Sequence, residues 1–508
     1  MSDHQRYLER QAQILRGGGE KAIQKQHDKG KHTARERLAL LFDAGTFQEL
    51  DAYVRHRCPD FGMPQKVYDG DGVVGGYGKV HGRTVFAYAQ DFTVMGGSMG
   101  EEQANKICRL MELAMDAGAP VVGMNDSGGA RIQEGVNSLA GYGKIFRMNT
   151  RASGVIPQIT AILGPCAGGA VYSPALTDFI FTVDDVSRMF ITGPEVIKAV
   201  TREEVSAERL GGAATHSTIS GNAHFRDATE ENCIARIRQL LSFLPSHAAQ
   251  AAPLMGMGET DGGLRPALEQ LLPPDINKIY DMRQVIRELA DDGEILESMA
   301  EYARNILTAF ARVGGMPVGI IANQPQVQAG CLDVNASDKA ARFVRFCDAF
   351  GIPLVTLVDV PGFLPGLQQE DAGIIRHGAK LLYAYSEAAV PKLTVILRKA
   401  YGGAYLAMCS KHLGADFVYA WDSAQIAVMG EDGAANILIR EENDPQKRKD
   451  WKKEYRSSVL NPYRAAERGY VDDVILPQET RQKLLSALDV LRRKREDRPQ
   501  KRHGNIPL

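Results

Sequence analysis

Gly164-Pro165-Cys166-Ala167-Gly168-Gly169-Ala170 is the stretch whose reading decides the fold. An apolar extended run, Pro157 to Leu163, leads into it, and the helix-compatible segment Val171 to Leu176 comes after it. Glycines at a strand-to-helix turn carry no side chain, so a ligand can approach the backbone closely. The first amides of the helix face outward, with the positive end of the helix dipole behind them. Such a turn suits an oxyanion developing on a bound acyl group. A single Gly-Gly-Ala turn is more often a packing device. A second copy changes that reading.

The second copy is Arg398-Lys399-Ala400-Tyr401-Gly402-Gly403-Ala404-Tyr405, after the apolar run Lys392 to Leu397. Its Gly-Gly pair lies 234 positions further on, from 168 to 402. The flanks repeat too: Gly118-Ala119-Pro120-Val121-Val122 before Asp126-Ser127-Gly128-Gly129 parallels Gly351-Ile352-Pro353-Leu354-Val355 before Asp359-Val360-Pro361-Gly362. An amphipathic helix precedes each, Ile107 to Ala117 and Ala340 to Phe350. A repeat of this length implies a duplicated domain rather than a solenoid. Each copy presents an amide-lined pocket.

A chain of 508 residues, 44 % hydrophobic and 24 % charged, is long enough for several packed domains. A net charge of −2 gives no basic field for nucleic acid or an anionic membrane. The cluster Arg492-Arg493-Lys494-Arg495 with Lys501-Arg502 reads as a solvated helix end and tail. The opening Met1-Ser2-Asp3-His4-Gln5-Arg6 has no apolar core for a signal peptide, and no run approaches the ~20 apolar residues of a membrane span. A cytoplasmic protein is expected, reaching a membrane only through a partner. The seven cysteines include no CxxC pair, which excludes zinc-ribbon and thioredoxin-like spacing. Cys166, Cys347 and Cys409 sit among small or apolar residues and read as buried thiols.

In chain order, residues 1–45 read as a polar helical arm for subunit contact, with Thr33 and Glu36 as a capping box. Residues 46–250 form the first domain, 251–275 a linker without periodicity that includes Met255-Gly256-Met257-Gly258, and 276–508 the second domain. Strands are expected at 72–80, 84–90, 120–125, 178–183, 318–323, 354–360, 417–421 and 425–429, and a solvated helix at 440–456. The loop Asp126-Ser127-Gly128-Gly129-Ala130-Arg131 is placed to supply a second donor beside Gly168 and Gly169. His216 and His224 read as local hydrogen-bonding residues. No Walker loop, dinucleotide fingerprint, metal set or Ser-His-Asp motif is present, and Ser127 lies in no G-x-S-x-G elbow. Glycine-framed amides remain as the specific chemical signal.

Four strings carry a family resemblance: IPQITAILGPCAGGAVYSPALTDF at 156–179, GCLDVNASDKAARFVRFCDAFGIPLVTLVDVPGFLPG at 330–366, GIIRHGAKLLYAYSEA at 373–388 and RKAYGGAYLAMCSKHLGAD at 398–416. From about Gly17 to Leu508 the chain resembles the biotin-dependent acyl-CoA carboxyltransferases. The resemblance implies an α/β fold of two tandem crotonase-like (ββα spiral) domains, assembled as a hexamer. It implies acyl-CoA as substrate on the first domain and biotin, carried by a biotin carboxyl carrier protein, on the second. By resemblance, Gly168 and Gly169 hold the acyl thioester oxygen, with Gly129 and Ala130 lining the acyl-CoA pocket. Gly403 and Ala404 hold the biotin ureido oxygen, with Gly402, Pro361, Gly362 and Phe363 around it. No side-chain base is then required.

Two positions depart from many family members. Leu406 stands where an acidic residue is common, which points to the methylmalonyl-CoA decarboxylase α subunit and makes Leu406 the expected specificity residue. The alternatives within the family are the propionyl-CoA carboxylase β subunit and the transcarboxylase large subunit. Asp422 replaces a common proline, with no effect assigned. The chain has no Met-Lys-Met biotinylation context and no ATP loop. Biotin and ATP chemistry therefore belong to partners: the carrier, and a biotin carboxylase subunit or a sodium-pumping membrane subunit. Outside this class stand a one-pocket crotonase-type hydratase or hydrolase, which needs a carboxylate or nucleophile beside Gly168, and a non-catalytic scaffold, which would not keep both glycine turns.

Overall fold

Apolar strands covered on both faces, separated by amphipathic helices, are the pattern of a largely parallel sheet. The computed structural model describes residues 2–255 and 263–508. The chain divides into two units, one ending at Gln250 and the other starting at Ala251.

In the first unit the strands are β1 (Gln48–Leu50), β2 (Val73–Val80), β3 (Arg83–Gln90), β4 (Val121–Ser127), β5 (Gln158–Ala167), β6 (Phe179–Val183), β7 (Arg188–Phe190) and β8 (Phe225–Asp227). The sheet runs β1-β2-β3-β4-β5-β6-β8, and β7 adds to the far end of β5. The β1–β2 and β2–β3 pairs are antiparallel; from β3 onward every pairing is parallel.

The second unit repeats the plan with β9 (Ile295–Ser298), β10 (Ile306–Val313), β11 (Met316–Asn323), β12 (Leu354–Val360), β13 (Lys392–Tyr401), β14 (Phe417–Trp421), β15 (Gln425–Ala427) and β16 (Asp473–Ile475). Its order is β16-β14-β13-β12-β11-β10-β9, with β15 on β13. Strand for strand, the duplication read from the glycine turns is a duplication of the sheet.

The helix Glu101–Ala117 ends on Gly118 at φ +60° and buries Ile107, Leu110, Met111 and Ala114. These pack with Val121 and Ile145 in the first core. Its counterpart Val334–Ala349 starts on Asp333, whose side chain accepts from the Ala336 amide. The unit 2 core gathers Val318, Ile320, Val355, Leu357, Val395, Leu397 and Trp421.

Lys339 is buried beneath its helix and donates to the carbonyls of Met299, Tyr302 and Ile306 at 2.8–2.9 Å. Met299 and Ala303 both have positive φ, so this segment needs an external hold. Lys106, its unit 1 counterpart, donates to Gly70 and Val73 carbonyls. Lys339→Met removes the donor shared by the Met299, Tyr302 and Ile306 carbonyls; the Met299 carbonyl keeps the Tyr302 N–H, and each buried group left unpaired costs about 1–3 kcal/mol. A clear drop in melting temperature is the expected result, and an unchanged one would show that water replaces the ammonium.

Three readings change. The N-terminal helices are Asp3–Leu15, Glu20–His27 and Ala34–Leu41, and Thr33 with Glu36 does form the capping box. Ala34, Arg37, Leu38 and Leu41 are buried, however, so the last of these helices packs into unit 1 instead of standing free as an arm. The basic C-terminal cluster is likewise not wholly solvated: Lys494 donates to the Val390 carbonyl and pairs with Asp416 at 2.8 Å. The helix Pro445–Ser458, by contrast, has no buried residue. Of the expected linker, Gly256, Met257 and Gly258 lie outside the described residues, and Ala267–Leu271 is a short helix.

Candidate active site

Both glycine turns sit where a central parallel strand ends and a short helix begins. β5 runs on through Pro165, Cys166 and Ala167, and the helix Gly169–Leu176 starts after Gly168. In unit 2, β13 ends at Tyr401 and the helix Gly402–Ala407 comes next. Gly168 at φ +59° and Gly402 at φ +57° take the left-handed conformation that reverses the chain. Gly169 has a different reason to lack a side chain. A Cβ there would lie 2.8 Å from Tyr142 Cδ2, so the ring packs directly on the turn.

Hydrogen bonds decide which amides are available. The Gly168 N–H donates to the Ile191 and Phe190 carbonyls at 3.1 and 3.2 Å, closing the edge of β7. The amides of Gly169 and Ala170 find no acceptor among the described residues. In unit 2 the same holds for Gly403 and Ala404.

A second loop meets each turn at the end of the neighbouring strand. After β4, Gly129 donates to Ser127 Oγ at 3.2 Å, while Gly129 O and Arg131 N are taken by Met99. Ala130 N–H, between them, is left without an acceptor among the described residues. The loop approaches the turn closely, since a Cβ on Gly129 would lie 3.2 Å from the Ala167 carbonyl oxygen. After β12 the arrangement recurs: Gly362 O and Leu364 N are taken by Leu332, leaving Phe363 N–H. The Phe363 ring lies over the second turn, 4.0 Å from where a Gly403 Cβ would stand. Pro361, Lys399, Tyr401 and Gln425 line a cavity of about 160 Å³ beside it. Burial holds the Lys399 ammonium below its ordinary pKa.

Behind both loops lies a buried carboxylate that sequence reading passed over. Asp126 Oδ2 accepts from Lys31 Nζ at 2.6 Å, Gln26 Nε2 at 2.9 Å and Arg37 Nη1 at 3.0 Å. Arg37 also forks onto Glu230 and donates to the Leu163 carbonyl. Burial lowers the Lys31 pKa despite the attraction of Asp126, whereas for Arg37 the pull of Glu230 and Asp126 exceeds the cost of burial and raises it. In unit 2 Asp359 accepts from Arg398 Nε at 2.9 Å, Tyr280 OH at 3.0 Å and the Lys399 amide at 3.2 Å. The strings around both aspartates were visible as repeats; the partners, up to 100 positions away in sequence, were not.

Other expected residues are not assembled into the site. His216 bonds Ser220 and the Met189 carbonyl, and His224 Nδ1 accepts the Ile180 amide. Cys166, Cys347 and Cys409 are buried thiols, and burial pushes the pKa of each upward. Asp422 lines a separate cavity of about 310 Å³ with Trp421 and Arg398. Leu406 is 40 % exposed on its helix, not enclosed within the chain. No cluster of three or more metal-ligating side chains occurs among the described residues. No helix among them is long and apolar enough to cross a membrane.

The carboxyl transferase domain family matches residues 25–506. The chain belongs to this family. It is a carboxyltransferase of the methylmalonyl-CoA decarboxylase and propionyl-CoA carboxylase type. It is 61 % identical to the methylmalonyl-CoA decarboxylase subunit alpha of Veillonella parvula, over 98 % of each chain. It is 57 % identical to the propionyl-CoA carboxylase carboxyltransferase subunit of Haloferax mediterranei, again over 98 % of each. A crystal structure of transcarboxylase 12S, a hexamer with methylmalonyl-coenzyme A and methylmalonic acid bound, superposes with a TM-score of 0.97 at 55 % identity, covering 99 % of this chain and 98 % of that one. The two sheets of this carboxyltransferase are thus two crotonase-like domains.

Proposed function

We propose that this chain moves a carboxyl group between methylmalonyl-CoA and biotin borne by a carrier protein, as the α subunit of a methylmalonyl-CoA decarboxylase. The observation that carries the reading is the recurrence of one amide arrangement, two helix-start N–H groups and one loop N–H, in both units. Two such sets match a reaction with two carbonyl-type oxygens, on the thioester and on the biotin ureido group.

In unit 1 we assign the thioester oxygen to the amides of Gly169 and Ala170, with Ala130 as the donor across the pocket. Gly168 and Gly129 shape the backbone that aims them. As the methylmalonyl carboxyl group leaves, charge grows on the thioester oxygen, and fixed amides stabilise that enolate without reorganising. One preorganised donor is worth roughly 3–4 kcal/mol in oxyanion sites.

In unit 2 the amides of Gly403, Ala404 and Phe363 are assigned to the ureido oxygen. The residues fit the group: these three amides have no acceptor among the described residues, and the Phe363 ring stands 4.0 Å from a Gly403 Cβ position, with Pro361, Gly362 and Gly402 setting the backbone. Biotin supplies a ureido nitrogen able to carry the carboxyl group. The chain's share is to bind, orient and polarise. The carrier is a separate protein, and by likeness to transcarboxylase 12S the chain assembles as a homohexamer. The lean towards the decarboxylase rests on the 61 and 59 % identities to two such α subunits, not on the exposed Leu406.

The test is transfer from methylmalonyl-CoA to free biotin by the purified chain without ATP, with malonyl-CoA for comparison. Faster transfer from methylmalonyl-CoA is the expected result. Tight binding of either ester with no transfer to biotin would overturn the reading in favour of a one-pocket hydratase.

A further inference from the structure

Asp126 and Asp359 occupy the same place in their units, where one central strand slips register against the next. The slip lies between Asn125 and Ser127 in β4 and between Val358 and Val360 in β12. Bulges of this kind re-aim the chain immediately beyond them. In each unit that chain is the loop with the unpaired amide, Ala130 in one and Phe363 in the other. The buried carboxylate is the fixed point from which each loop departs.

The units neutralise that carboxylate by different means. In unit 2 the cation is built into the sheet, because Arg398 on β13 reaches Asp359 directly. The matching position on β5 is Gly164. A Cβ there would collide with Asp126 Oδ1 and lie 2.7 Å from Lys31 Nζ. The place of Arg398 is therefore filled from outside the sheet, by Lys31 and Arg37 of the N-terminal segment. Arg37 is fully buried, and by donating to Leu163 O it ties β5 to the carboxylate on β4. These are the two strands whose ends carry the Ala130, Gly169 and Ala170 amides.

We propose that Lys31 and Arg37 are positioning residues for the acyl-CoA half of the reaction, acting through Asp126 to hold the Ala130 loop against the Gly168 turn. This role rests on the proposed assignment of the acyl-CoA to unit 1. It makes the N-terminal segment part of one half-site and leaves the biotin half independent of it.

Lys31→Met and Arg37→Lys, each made in the full chain, test this. Lysine keeps the charge of Arg37 but not the fork that spans Asp126, Glu230 and Leu163 O. The expected result is at least a tenfold fall in kcat/KM for methylmalonyl-CoA, with KM for free biotin within twofold of wild type. Tyr280→Phe, which removes a donor from Asp359, gives the mirror result, a raised KM for biotin with KM for methylmalonyl-CoA unchanged. Melting temperatures confirm that each protein is folded in the assay; a role in stability alone lowers them without splitting the two substrates. If Arg37→Lys fails to fold, Lys31→Met, at the rim of the cluster, decides. Unchanged constants, or equal losses towards both substrates, overturn the inference while wild-type transfer stands. Absence of transfer by the wild-type chain overturns the functional reading itself.

Discussion

Gly403→Val is expected to lower carboxyl transfer to biotin at least about a hundredfold, the loss typical of removing one oxyanion donor, while methylmalonyl-CoA still binds. The geometry separates this variant from a milder one. An added Cβ at Gly403 meets nothing nearer than Phe363 Cε2 at 4.0 Å, so Gly403→Ala fits at ordinary contact distance. Valine adds two methyl groups beyond that point. They reach towards the Phe363 ring, into the space assigned to the ureido oxygen. One substitution thus obstructs the assigned biotin site in unit 2 and touches no donor in unit 1. Transfer rates and calorimetric binding of methylmalonyl-CoA check the result. Equal loss of transfer and of ester binding would refute the assignment of biotin to unit 2.

Gly164→Val is the second large effect, and it falls on stability first. Its side chain would enter the space held by Asp126 Oδ1 and Lys31 Nζ, both buried. Breaking a buried ion pair costs about 3–5 kcal/mol, because the charge left behind has no partner. For a unit of this size each kcal/mol shifts the melting temperature by about 2–4 °C, so a drop of roughly 10 °C is expected. A melting temperature within two degrees of wild type would mean that the cluster rearranges freely, and Gly164 would then be a glycine for another reason.

How much was legible in the sequence depends on the range of the interaction. The glycine turns were readable because φ near +60° leaves a local residue signature, and the duplication because both copies kept it. Strands such as β4, β5 and β12 were readable because they are buried on both faces and hence open with mostly apolar runs. β7 was missed: Arg188–Phe190 is three residues long and shows no period. That omission hid the fate of the Gly168 amide, which β7 and Ile191 consume, and so the free donors lie one residue later than the Gly-Gly motif suggests. The Asp126 cluster was hidden for the opposite reason. Lys31 and Asp126 are 95 positions apart, and a polar helical segment with scattered charges looks solvated until its partners are known.

Because every donor assigned here is a backbone N–H, the catalytic groups of this chain have no proton to gain or lose in the working range of pH. Any inflection the protein adds to the rate–pH profile should therefore come from groups around the donors, such as Lys31 and Lys399, whose pKa values burial lowers. The functional information in the sequence is then conformational, stored in backbone angles at a few glycines. A survey of reactive side chains, however complete, would walk past it.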